Sequence, residues 1–406
     1  MFGLARLFGA TPTKNELAKK VLVALRAAHP GDNFAYDESQ YQIRGKGSLV
    51  MNLDNLYLDY CRSTRNERQT QIERFIAGMT AEDIPDSFLD AQPNLLPVLR
   101  HLAGLELSLL SMDEERQKGD FFTQFAMQPF SEELAIGIAF DSEVSIQQVG
   151  NKTLETWGKT LDEVLAVALD NLRHKAAPKF EEISPGFFVS QFDDYYDASR
   201  LLLPELAWQL PLNGNPVAMV PNRICLLITG DRDEAGLEAM LATAEGLLRD
   251  QSRPLGTEMF RLDGTAWTPW KPSGAVEIRL HDLRIQMRAG DYKAQQEVLS
   301  ATAERRGEDV FVATFGLTKQ PNDDRIFSYS VLTKSVHTWL PKTDRVCAND
   351  LDTKEQLMVP WSVFESAAGD ILEPMSYVLP RYRVAKDLGQ QQLEILRTWL
   401  KDSESS

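Results

Sequence analysis

Apolar residues Leu17, Val21, Ala24, Leu25 and Ala28 recur at steps of three and four, which predicts an amphipathic helix from Asn15 that Pro30-Gly31 closes. Phe34-Ala35-Tyr36 and Tyr41-Gln42-Ile43-Arg44 flank a polar tetrapeptide and read as a hairpin, with Leu49-Val50-Met51 as a third strand. Helical spacing returns at Leu53, Leu56, Tyr57, Tyr60 and Cys61. It returns again at Ile72, Phe75 and Ile76, with Gly78 as a stop. The first ~80 residues are thus helix, small sheet, helix.

After a turn-rich joint from Pro85 to Pro93, strands are expected at Leu95 to Arg100, Leu134 to Phe140 and Val144 to Val149. Thr160 and Glu163 form a capping box ahead of the stripe Leu161, Val164, Leu165, Ala168, Leu169 and Leu172, a helix ended by Pro178. Phe187 to Phe192 reads as extended and Leu201 to Leu210 as helical. Val217 to Val220 and Ile224 to Thr229 read as paired strands, and a helix follows from Asp233. Trp267 to Gly274, WTPWKPSG, reads as a boundary. Beyond it, strands are expected at Val276 to Arg284, Val310 to Leu317 and Ile326 to Thr333, with a helix between Asp291 and Arg305. A terminal helix carries Leu388, Ile395, Leu396 and Trp399, and Asp402 to Ser406 is a polar tail. The mixed order predicts an α+β chain of mixed sheets and packed helices. Its units are 1–84 (helix, sheet, helix), 85–272 (central α+β domain) and 273–406 (smaller C-terminal α+β extension).

Composition narrows the function. The chain has 406 residues, long enough for two or three domains, and a formal net charge of −16, which repels phosphate backbones and anionic lipid. Nucleic acid is therefore not an expected partner. Cys61, Cys225 and Cys347 lack CxxC spacing, so no disulfide framework or zinc site is predicted and a reducing cytoplasm fits. No run of apolar residues is long enough to span a membrane. Met1 to Ala10 is apolar around Arg6, too short for a secretion signal, and is expected to pack on the protein or stay loose.

Gly158-Lys159-Thr160 carries the last letters of a phosphate-binding loop, but Thr153 stands where that motif needs glycine, and Thr160 serves better as a cap. The turn after Leu226 to Gly230 holds Asp231, Asp233 and Glu234, which favour a helix dipole and oppose a phosphate. Five histidines, His29, His101, His174, His281 and His337, show no metal-ligand spacing. Two constellations stand out. Phe192-Asp193-Asp194-Tyr195-Tyr196-Asp197 joins three carboxylates to two tyrosines, a set able to bind a basic peptide or a hard cation. A solvated acidic turn is the competing reading. Ser328 to Asp344, as a hairpin, would gather Lys334, His337, Trp339, Lys342 and Asp344 on one face, against an ordinary sheet with a polar outer side.

Asn94-Leu95-Leu96-Pro97-Val98-Leu99-Arg100, Leu165-x-x-Ala168-Leu169-x-Asn171-Leu172, Val217-Ala218-x-Val220-Pro221-Asn222-Arg223 and Leu226-Leu227-Ile228-Thr229-Gly230 resemble the bacterial YtpQ-like family, domain of unknown function 1444. Trp267-x-Pro269 adds to the likeness, which covers roughly residues 15–272. Members often carry an acidic residue after Pro-Asn-Arg, where this chain has Ile224. The resemblance implies a bacterial cytosolic α+β protein and transfers no activity or catalytic residue. With no catalytic signature, the expectation is a non-enzymatic interaction or regulatory module without cofactor or bound metal. It would take an unidentified protein partner of basic character at Asp193, Asp194, Tyr195, Tyr196 and Asp197. The alternatives are a hydrolase-like or metal-assisted enzyme built from distant residues, with Asp193, Asp194 and Asp197 as ingredients, and a chaperone-like binder. Oligomeric state is left open.

Overall fold

The computed structural model describes residues 12–45, 50–78, 84–110, 125–142, 145–175, 179–192, 194–250, 254–320 and 323–404. Met1 to Ala10, Leu49, Val144, Pro178 and Asp193 lie outside them. The architecture is α+β.

Helix α1 (Lys14–Ala28) opens on a capping box in which Thr13 and Glu16 satisfy each other's backbone amides. Its buried stripe, Leu17, Ala18, Val21 and Leu25, rests on a three-stranded antiparallel sheet of β1 (Ala35–Asp37), β2 (Gln42–Arg44) and β3 (Val50–Asn52). Helices α2 (Asp54–Arg62) and α3 (Arg68–Ala77) close this core with Leu56, Tyr60, Ile72 and Ile76.

The short α4 (Phe88–Ala91) leads into β4 (Leu95–His101), and α5 (Leu102–Leu110) follows without a linker. Next come β5 (Met127–Pro129), β6 (Leu134–Asp141) and β7 (Ile146–Gln148). β6 is the centre of this sheet, pairing antiparallel with β4 from Leu95↔Phe140 to His101↔Leu134 and with β5 and β7 on its other edge. Helices α6 (Asn151–Trp157) and α7 (Leu161–Lys175) follow, and α7 lays Val164, Leu165 and Ala168 on the sheet.

Six antiparallel strands form the largest sheet. They are β8 (Phe180–Ser184), β9 (Phe187–Ser190), β10 (Pro216–Asn222), β11 (Cys225–Gly230), β12 (Met259–Asp263) and β13 (Ala266–Trp270), in the order β13-β12-β10-β11-β9-β8. Every residue of β10 and β11 is buried, because α8 (Glu234–Asp250) covers one face and two 3-10 helices, Ala198–Leu202 and Pro204–Gln209, cover the other. The expected single helix over 201–210 is thus two 3-10 turns, with Pro204 opening the second. The expected boundary at Trp267 is partly strand: β13 holds five register pairs with β12, and 271–274 alone make the connection.

The strand expected at 276–284 is a helix. α9 (Ala275–Arg306) is 32 residues long and absorbs the shorter helix expected at 291–305. Val276, Ile278 and Leu280 alternate with Glu277 and Arg279, which imitates a half-buried strand. The buried set is Val276, Leu280 and Leu283, spaced as one helical face, while Ile278 is 44% exposed. Gly307 ends α9 in the left-handed region at φ 64°, donating its N–H to Ala303 and Glu304 carbonyls.

Two four-stranded sheets follow. β14 (Phe311–Val312), β17 (Thr338–Pro341), β21 (Arg381–Val384) and β20 (Glu373–Met375) form one, in that order. β15 (Gly316–Gln320), β16 (Asp323–Thr333), β18 (Arg345–Asp350) and β19 (Glu355–Pro360) form the other. The strand expected at 310–317 is therefore split between both sheets. The hairpin weighed for 328–344 does not form, since β16 runs parallel to β18 and β17 belongs to the neighbouring sheet. Helices α10 (Trp361–Ala368) and α11 (Gln390–Glu404) pack Phe364 and Leu396 on this core, and α11 takes in Asp402 of the expected tail.

Candidate functional site

One face of α9 carries Arg284, Arg288, Asp291 and Gln295, at steps of four, three and four. Each meets a polar group from the central sheets or from α5. Arg288 Nη2 lies 3.3 Å from Glu132, and Arg284 Nε lies 3.7 Å from Glu133 Oε1. Asp291 Oδ2 lies 3.4 Å from Nε2 of His101, the last residue of β4, with the two side chains 19% and 10% exposed. Gln295 Nε2 donates to Leu379 O at 3.2 Å and to Glu106 Oε2 at 3.5 Å. The face is an ionisable seam.

The segments that precede β6 and β12 supply the far side. Glu133, in the turn before β6, accepts from Thr257 N at 2.6 Å and from Thr257 Oγ1 at 3.0 Å. A Cβ on Gly256 would stand 2.9 Å from Glu133 Oε2, so a side chain there would displace this hydrogen-bonded carboxylate. Glu258 accepts from Ser131 Oγ and from the Glu133 amide. Further along, Glu106 Oε1 accepts from Val378 N at 2.6 Å, and Gln295 Oε1 accepts from Arg381 Nε at 2.6 Å. Arg381, on β21, is 1% exposed and also donates through Nη1 to the carbonyls of Ala313 and Trp339, each at 2.9 Å. Tyr292 stacks on Phe315 with ring centroids 4.5 Å apart and donates its hydroxyl to Pro380 O.

Packing decides protonation here. Burial, reinforced by Glu133 and opposed by Arg288, pushes the Asp291 carboxyl up to about 7. Burial holds His101 below its ordinary range against the pull of Glu133. Burial also raises Glu258, with Glu133 adding to it, and raises Glu106 against its hydrogen bonds from Val378, Leu379 and Gln295. Arg381 is lowered to about 10, again by burial. The seam therefore holds one carboxyl that ionises near neutrality against an imidazole. Among the described residues no three His, Cys, Asp or Glu side chains converge to hold a metal ion.

The acidic tyrosine segment is held largely by internal contacts. Asp194 grips Arg200 with both oxygens, at 2.8 and 2.7 Å, and Arg200 is 1% exposed with its guanidinium 3.6 Å over the Phe192 ring. Burial pushes the Asp194 carboxyl up, but the bonds and charge of Arg200 outweigh it and hold it below the usual range. Asp197 is buried, accepts the Phe192 amide at 3.0 Å and is raised by that burial. Tyr196 is buried, whereas Tyr195 is 56% exposed, on a backbone with φ 67°. The turn gives Asp194 and Asp197 internal partners and leaves Tyr195 facing outward. Tyr195→Ala is accordingly expected to change stability by no more than about 0.5 kcal/mol in urea unfolding; a larger loss would show that the ring packs.

The second constellation is dispersed. Lys334 pairs with Asp350 and Asp352, Trp339 is buried, His337 is exposed, and Asp344 accepts from the Ser328 amide and hydroxyl. The seam was hidden in sequence because its α9 face begins inside a segment that alternates like a strand. The spacing of Arg284, Arg288 and Asp291 is the one signal that reveals it. His101, Glu106, Glu133 and Glu258 carry no local pattern at all. Comparison with family models, curated proteins and solved structures found no match to this chain.

Proposed function

We propose that this chain is a non-enzymatic interaction or regulatory module of the cytoplasm, in which the α9 seam sets how firmly the central sheets hold the C-terminal sheets. The observation that carries the reading is the Asp291–His101 contact, buried between β4 and α9 and flanked by Glu133 and Arg288. Groups that titrate near neutrality commonly serve catalysis, and structural networks shift them too. Here Glu133, Glu258, Glu106 and Gln295 spend their bonds on backbone amides, neighbouring side chains and one another, so titration acts on packing. The three cysteines are free thiols, in keeping with a reducing compartment. Kinship with the YtpQ-like family belongs to this proposal and rests on the motifs quoted above; it adds no activity.

The test is hydrogen exchange across α5 and α9 at about pH 6 and about pH 8, corrected for intrinsic rates. Protection is expected to be greater at the lower pH. Equal protection at both would sink the regulatory reading. The enzyme alternative is favoured by the same contact, since an imidazole and a carboxyl 3.4 Å apart can pass a proton. It requires a substrate to reach Asp291, so turnover abolished by Asp291→Asn with unchanged exchange would move the assignment to it.

A further inference from the structure

β20 is the edge of its sheet, and beside it a cleft of about 330 Å³ is lined by Glu373, Pro374, Met375, Ser376, Tyr377 and Arg383. Alternation along β21 puts Tyr382 and Val384 against the apolar core and Arg381 and Arg383 on the opposite side. The two arginines differ in how they are used. Arg381 is locked in the seam, yet its Nη2 is buried with no hydrogen-bond partner. Arg383 is exposed and has no ion-pair or hydrogen-bond partner among the described residues, although Glu373 lies directly across the ladder from it. Burial and Glu106 raise the Tyr377 phenol, while the charges of Arg306, Arg381 and Arg383 pull it back. In a chain of net charge −16, arginine side chains thus gather here beside Glu106 and Glu373.

We infer that the cleft binds a small oxyanion ligand, a phosphate or carboxylate on an apolar body, with Arg383 as counter-ion, Ser376 as hydroxyl donor and Pro374 and Met375 as the apolar wall. An unpaired guanidinium offers a planar pair of donors to two oxygens of such a group. The cleft sits at the lower end of the size range of small-molecule sites. The acidic surface elsewhere repels a polyanion, which favours a small ligand. Glu373 opposes an anion and serves as an internal control of sign.

Calorimetric titration of the full chain with inorganic phosphate, phenyl phosphate and benzoate tests this. Phenyl phosphate or benzoate is expected to bind more tightly than inorganic phosphate, and whichever of the two is tighter identifies the oxyanion. Arg383→Gln should weaken binding by about ten-fold or more. Glu373→Gln should strengthen it a few-fold, and Lys386→Gln, at an exposed lysine outside the cleft, should leave it unchanged. No heat with any of the three probes, or equal affinity in the chain and in Arg383→Gln, overturns the assignment. Should Arg383→Gln fold poorly, the Glu373→Gln titration decides the matter alone, since unchanged or weaker binding there overturns it.

Discussion

Arg381→Ala is expected to cost about 3–5 kcal/mol, enough to unfold much of the C-terminal packing at ordinary temperature. The side chain is almost fully buried and feeds three acceptors on three segments: Gln295 of α9, Ala313, and Trp339 of β17. Truncation leaves all three dry and opens a void against Tyr292, whose ring lies 5.5 Å from the guanidinium carbon. Arg381→Met separates the causes, since it restores volume but not hydrogen bonds. Arg381→Lys keeps a charge but cannot reproduce a planar fork. Urea unfolding followed by tryptophan fluorescence should rank the variants with Ala the least stable and Met close to it. A loss below about 1 kcal/mol for Ala would show that water re-satisfies the carbonyls.

Asp291→Asn is expected to be stabilising at alkaline pH and neutral at acidic pH. The carboxyl titrates at about 7 in the fold against 3.8 for the free group, because burial and Glu133 disfavour its charge. Between those values the folded chain keeps a proton that the unfolded chain has released. The group's contribution is therefore fully present below about pH 4 and is lost as pH rises to about 7, a swing of up to about 4 kcal/mol. Asparagine has no charge to penalise, so the gap between variant and parent should open across that window. His101 works in the opposite sense, since its lowered pKa makes stability fall as pH drops below 6.5, but it does so in both proteins. Melting curves from about pH 4 to about pH 8.5 check the prediction. A constant difference across the range would show that Asp291 stays ionised throughout.

What could be read in advance followed from local periodicity. Helices α1 and α7 announce themselves through caps and single stripes, and β4 and β6 through short runs of Leu, Ile and Val that are buried in the sheet. Sequence pattern misleads where two periods share the same residues, as in Val276 to Leu280. It also misleads where neighbours in sequence part company in space, as β16 and β17 do. The acidic tyrosine turn stands out in sequence by composition, yet Arg200, which holds Asp194, lies outside it. The seam is the least legible part, since His101 and Glu106 come to Asp291 and Gln295 from positions more than a hundred residues away.

Helix α9 also bears on how this polypeptide can be cut, shuffled or expressed in pieces. At 32 residues it is about 48 Å long, and its first three turns bury Val276, Leu280 and Leu283 among Val217, Leu227 and Leu241. Its last turns bury Leu299 and Ala303 against Val312 and Trp339. A fragment ending at residue 272 would show the first set of partners to solvent, and one beginning at 308 would show the second. The helix acts as a shared beam, so recombination at the proline-rich joint before it would deliver two sticky halves, and soluble fragments should be sought with α9 retained on both.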